Sequence, residues 1–79
     1  MEEIEVTARF LPGGRVFPQK FIWQGNTYHV DSIGRSWNAK DGYHILVMDK
    51  ETRVFQLVFN PERKIWHLIP DWDPTSSFS

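Results

Sequence analysis

Turn signals recur about every ten to fifteen residues along this chain, as in small all-β domains. They are Pro12-Gly13-Gly14, Gly25-Asn26, Asp41-Gly42, Asp49-Lys50-Glu51-Thr52 and Asn60-Pro61-Glu62-Arg63. The residue types are those that set φ or close a reversal by side-chain hydrogen bonding. Between the signals the apolar residues recur with period two. Ile4, Val6, Ala8 and Phe10 alternate with Glu3, Glu5, Thr7 and Arg9, so one face of that segment is half-buried strand. No stretch from residue 2 to 70 sustains a 3.6-residue repeat with caps. The pattern predicts a six-stranded antiparallel meander, all-β, in a single domain over residues 1–70, followed by a flexible tail over 71–79 in which Trp72 offers an anchor.

Each turn implies a register. Gly25 at the first central position suits a type II′ hairpin, which sets Trp23 opposite Tyr28, Phe21 opposite Val30, Ile22 opposite His29 and Lys20 opposite Asp31. Asp41-Gly42 as a type I′ turn sets Trp37 opposite Leu46 and Lys40 opposite Tyr43. Gly34, inside the strand between those turns, marks a bulge or bend. Residues 43–48 are apolar on both faces, so that strand is central or covered on both sides. Four-residue loops at 49–52 and 60–63 set Leu46 opposite Phe55, Leu57 opposite Trp66 and Phe55 opposite Leu68, gathering Leu46, Phe55, Leu57, Trp66 and Leu68 on one face.

That face has to be covered. Aromatic residues make up 15% of the 79 and there is no cysteine, so stability rests on packing large rings without disulfide or thiolate-metal support. A curled sheet, an SH3-like partly open barrel, answers this within one chain; a homodimer that buries the face answers it between two. No apolar run approaches a membrane span, and the start Met1-Glu2-Glu3-Ile4-Glu5 is the opposite of a basic signal-peptide start. The sequence therefore predicts a soluble, cytoplasmic chain.

The motifs that carry catalysis are missing. There is no G-x-S-x-G elbow, P-loop, dinucleotide fingerprint or H-E-x-x-H, and His29, His44 and His67 have no local ligand spacing. The expectation is a non-enzyme with no cofactor and no metal, in which the histidines are ordinary strand residues. A net charge of −1 argues against a strong sequence-independent polyanion binder. The charge is uneven, however. Residues 6–40 hold Arg9, Arg15, Lys20, Arg35 and Lys40 against Asp31 alone. Of the four tryptophans, Trp23, Trp37 and Trp66 share faces with apolar neighbours and default to the core. The run Arg35-Ser36-Trp37-Asn38-Ala39-Lys40 combines an aromatic ring, two cations and an amide near a bend. If Trp37 points outward, Arg35, Trp37, Asn38 and Lys40 form a binding surface for a protein partner or for single-stranded nucleic acid. The alternative is a structural, self-associating β domain without a ligand.

The run Phe21-Ile22-Trp23-Gln24-Gly25-Asn26-Thr27-Tyr28-His29-Val30 has the form F-x-W-x-G-x-x-Y-x-V, and is followed by Trp37, Phe55-Gln56-Leu57 and Trp66-His67-Leu68. In these residues the chain, over about 4–72, resembles a small bacterial domain family of unknown function. Some members of that family are associated with translesion DNA polymerases, which implies an accessory module in DNA repair or translesion synthesis. The resemblance brings no catalytic residues with it, and the acidic termini here depart from the family's more basic versions.

Overall fold

The computed structural model describes residues 2–69; Met1 and residues 70–79, including the tail and Trp72, lie outside the described residues. Six strands follow in chain order: β1 (Glu2–Leu11), β2 (Arg15–Trp23), β3 (Asn26–Ala39), β4 (Gly42–Asp49), β5 (Val54–Asn60) and β6 (Ile65–Ile69). Each pairs antiparallel with the next, as the turn signals predict. The architecture is consistent with the SH3-like barrel expected. The seam that the sequence leaves partly open is closed by Glu2↔Leu68, Glu3↔His67 and Ile4↔Trp66 between β1 and β6. Among the described residues no helix is long and apolar enough to cross a membrane.

Two strands serve two sheets. Residues 5–11 of β1 pair with β2, and β2 in turn pairs with residues 26–29 of β3. Residues 30–39 of β3 pair instead with β4, which leads through β5 and β6 to residues 2–4 of β1. A strand that changes sheets must bend, and β3 does so at a register shift between Val30 and Ser32. The aromatic face is thereby covered inside the chain. Phe21, Ile45, Val47, Leu57 and Leu68 are each at most 1% exposed, with Val16 and Trp66 beside them. Phe21 stacks on Tyr28 at 5.2 Å and meets Phe55 edge-on at 5.1 Å, and Trp23 closes the cluster against both Tyr28 and Phe55. Its indole N–H is buried without an acceptor among the described residues.

The registers differ from the predicted ones in an instructive way. The β2–β3 turn is Gln24-Gly25, with φ of 51° and 77°, a type I′ turn in place of the expected II′. Trp23 faces Asn26, Ile22 faces Thr27, Phe21 faces Tyr28 and Lys20 faces His29. Sliding a turn by one residue moves every partner by two, so each side chain keeps its face. The same holds at the β5–β6 loop, which is Pro61–Lys64, with Leu57 facing Leu68 and Phe59 facing Trp66. The β4–β5 connection is different. Asp49 and Arg53 pair through Asp49 N–H to the Arg53 carbonyl at 3.0 Å, leaving Lys50–Thr52 as a three-residue loop with Thr52 at φ 64°. The partner moves by one and the face flips: Leu46 opposes Gln56 and points outward, while Ile45 and Val47 take the core positions. Phe10, expected on the inner face, is 60% exposed and lays its ring against Phe59 at 5.5 Å.

Asp49 is what shortens that loop. It is 5% exposed, and its carboxylate accepts from the Glu51 amide at 3.0 Å, the Arg53 amide at 2.8 Å and Arg53 Nε at 2.7 Å. The guanidinium so held lies over the Tyr28 ring at 5.1 Å. Burial alone would raise the Asp49 carboxyl, but the Arg53 hydrogen bonds and charge, with the Glu51 amide, outweigh it and hold it below the ordinary carboxylate value. A carboxyl held low in the folded state stabilises the fold above its unfolded value of ~3.9, and that contribution is lost as pH falls through the lower folded value. Between about pH 6 and pH 3, the wild type should therefore lose more melting temperature than Asp49→Asn, measured by thermal unfolding. Parallel losses in the two proteins would show that Asp49 carries no acid lability.

Candidate functional site

The outer half of β3 is an edge. Its last pair with β2 is Lys20↔His29; from Val30 to Ala39 it pairs with β4 alone, and no other strand among the described residues meets its far side. The residues there are exposed, with Ile33 and Val30 half-buried. Backbone N–H and C=O groups along such an edge are unpaired and available to another extended chain. Arg35, Trp37 and Asn38 of the predicted surface lie on this segment, and Lys40 follows it in the turn.

Trp37 is 36% exposed, so its indole faces outward and not into the core. The β3–β4 turn is Lys40-Asp41, one residue earlier than predicted, and Trp37 consequently faces His44 and not Leu46, while Lys40 lies in the turn and not opposite Tyr43. The imidazole stacks under the indole at 5.3 Å and 18°. The Arg35 guanidinium lies 5.9 Å from the indole centroid.

His44 is 7% exposed and is fixed at both nitrogens. The Gln56 side-chain nitrogen Nε2, which can only donate, reaches His44 Nδ1 at 2.9 Å. Nδ1 must then accept, and Nε2–H donates to Asp41 Oδ1 at 2.7 Å. The hydrogen bond from His44 holds the Asp41 carboxyl below its ordinary value, against the opposing effect of burial. With both nitrogens occupied, the ring has no lone pair to offer a substrate; what it does is orient Trp37. This Gln56–His44–Asp41 chain escapes the sequence reading, and the signal it leaves there is the i, i+3 spacing of Asp41 in the turn and His44 on β4. His67 and His44 both face Val58 on the outer surface, whereas His29 is in the other sheet opposite Lys20.

The four predicted residues do not share one face. Alternation along β3 sets Trp37 outward with Arg35 beside it, and turns Asn38 to the side of its partner Tyr43. Asn38 and Lys40 line a separate hollow with Asp41, Tyr43, Asn60 and Glu62. The two pairs converge only at the open edge, which they flank from its two sides. A stacked ring, a guanidinium, an ammonium, an amide and a free backbone edge together offer stacking, positive charge and hydrogen bonding at one edge.

No family model matches the chain, and no curated protein or solved structure matches it.

Proposed function

We propose that this chain is a non-catalytic binding module that takes an extended segment of a protein partner along the free edge of β3. Arg35 and Trp37 grip it from one face and Asn38 and Lys40 from the other. The observation that supports this reading above others is the free edge of Val30–Ala39, which carries Arg35, Trp37 and Asn38 and runs into Lys40 in the turn. Strand addition draws affinity from main-chain hydrogen bonds and specificity from alternate side chains, and Trp and Arg are the side chains enriched among interface hot spots. An accessory role in DNA repair or translesion synthesis is the role that the resemblance carried by Phe21–Val30, Trp37, Phe55–Leu57 and Trp66–Leu68 supports.

Selection of displayed nonapeptides against the full chain tests the reading. Selected peptides should protect the β3 amides of residues 31–39 from hydrogen exchange. Trp37→Ala should weaken them by about thirtyfold, the loss of one hot spot of about 2 kcal/mol. Peptides that bind the variant equally well would overturn the assignment. The presence of Arg35 and Lys40 beside Trp37 makes single-stranded nucleic acid the second reading; there, labelled oligothymidylate should bind with an affinity falling steeply between low and physiological salt. Sedimentation at micromolar concentration separates both from self-association, which would appear as a concentration-dependent dimer.

A further inference from the structure

Between Ile33 and Ser36 the β3 register slips: Ile33 faces Val47 and Ser36 faces Ile45, so Gly34 and Arg35 together oppose Leu46. Two residues against one is a bulge, a device that bends a strand and re-aims a side chain. Here it opens a cleft of about 200 Å³ on the outer face of the sheet, lined by Ile33, Gly34, Arg35, Leu46, Met48 and Val54 together with Ser32 and Val47. Free small-molecule ligands occupy pockets of ~300–1,000 Å³. This one is smaller, and its volume matches a single side chain.

We propose, building on the strand-capture reading, that this cleft is the specificity pocket for the captured segment. It takes one unbranched or γ-branched apolar side chain, Leu or Met, from a strand that also carries a Glu or Asp two residues away. The floor is Leu46, and the walls are the aliphatic chain of Val54 and the adaptable thioether of Met48. Of the lining residues only Arg35 carries a charge, and among the described residues it has no carboxylate partner. Charge complementarity therefore selects an acidic neighbour, and the two-residue spacing follows from alternation, since residues i and i+2 of a strand share a face. Gly34 explains how the side chain enters. A Cβ at this position would stand 3.6 Å from Leu46 Cβ; its absence leaves a notch across the edge strand, through which a side chain from the neighbouring strand reaches Leu46.

The experiment is an array of strand-forming Thr/Val/Ser nonapeptides. One central position is varied through Leu, Met, Ala, Trp and Lys, and the position two residues on through Glu, Gln and Lys. Binding is read on the full chain by fluorescence anisotropy. Leu or Met with Glu should bind at least about tenfold more tightly than Ala with Lys. Gly34→Val, which fills the notch with a good strand former, should flatten the apolar preference. Arg35→Glu, on an exposed site, should invert the preference at the second position from Glu to Lys. Peptides that bind with no preference at either position would overturn the pocket and leave strand capture standing. Failure of every peptide to bind would overturn both.

Discussion

Phe21→Ala should leave the domain largely unfolded at physiological temperature. The ring is 1% exposed and sits between Tyr28 at 5.2 Å and Phe55 at 5.1 Å. Truncating such a ring costs about 3–5 kcal/mol, because the transfer energy is lost and the surrounding rings do not collapse fully into the void. A domain of 79 residues has on the order of 4–12 kcal/mol in total. The loss is therefore a large fraction of the net stability of the barrel. In thermal unfolding followed by circular dichroism, the midpoint should drop by at least about 12 °C, at ~4 °C or more per kcal/mol for a domain this small. Phe21→Leu, which keeps most of the apolar volume, should fall well short of that. A drop of only a few degrees for the alanine variant would mean that the cluster of Phe21, Tyr28 and Phe55 is not the centre of the core.

The second large effect belongs to Gly42. Its φ is 139°, and a Cβ added there would fall on the Phe59 carbonyl oxygen, 3.0 Å from the carbonyl carbon and 3.2 Å from Val58 Cγ1. Two separate costs meet at one position. The backbone conformation disfavours any L side chain by roughly 1–3 kcal/mol, and the methyl group would also force the start of β4 away from the end of β5. Gly42→Ala should cost about 3 kcal/mol or more, read as a shifted urea midpoint. Gly25→Ala is the control. Gly25 has φ 77° with nothing within 4 Å of a built Cβ, so it should lose only the backbone contribution, about 1–2 kcal/mol. Equal losses at the two sites would show that the close approach of Phe59 to Gly42 does not occur.

Gly42 also shows why part of this structure was legible from residue types and part was not. Turn chemistry located all five reversals, and period-two alternation placed Ile4, Val6, Phe21, Leu57, Trp66 and Leu68 toward the core. Asp41-Gly42 misled, because the glycine is needed for the approach of a neighbouring strand and not for the turn itself. The turn moved back to Lys40-Asp41, and Trp37 came to rest on His44. Asp49 reads as an ordinary loop residue, yet its three accepted hydrogen bonds shorten the β4–β5 connection and turn Leu46 outward. That contact lies beyond period counting, because the change in loop length depends on a side chain folding back onto backbone two and four residues away. The binding surface was legible as a segment but not as a geometry. Arg35, Trp37, Asn38 and Lys40 belong to one stretch of chain, while the free edge that unites them exists only because β2 leaves β3 at His29.

The kink at Gly34 has a second consequence. A straight, uncharged outer strand as long as Val30–Ala39 would invite identical molecules to zip together side by side, the first step toward insoluble fibrils. Here the kink breaks the flat template, and Asp31, Arg35 and Lys40 set a charge on either side of it and at its end. Self-templated growth is discouraged, while a shorter guest of the right sequence can still dock.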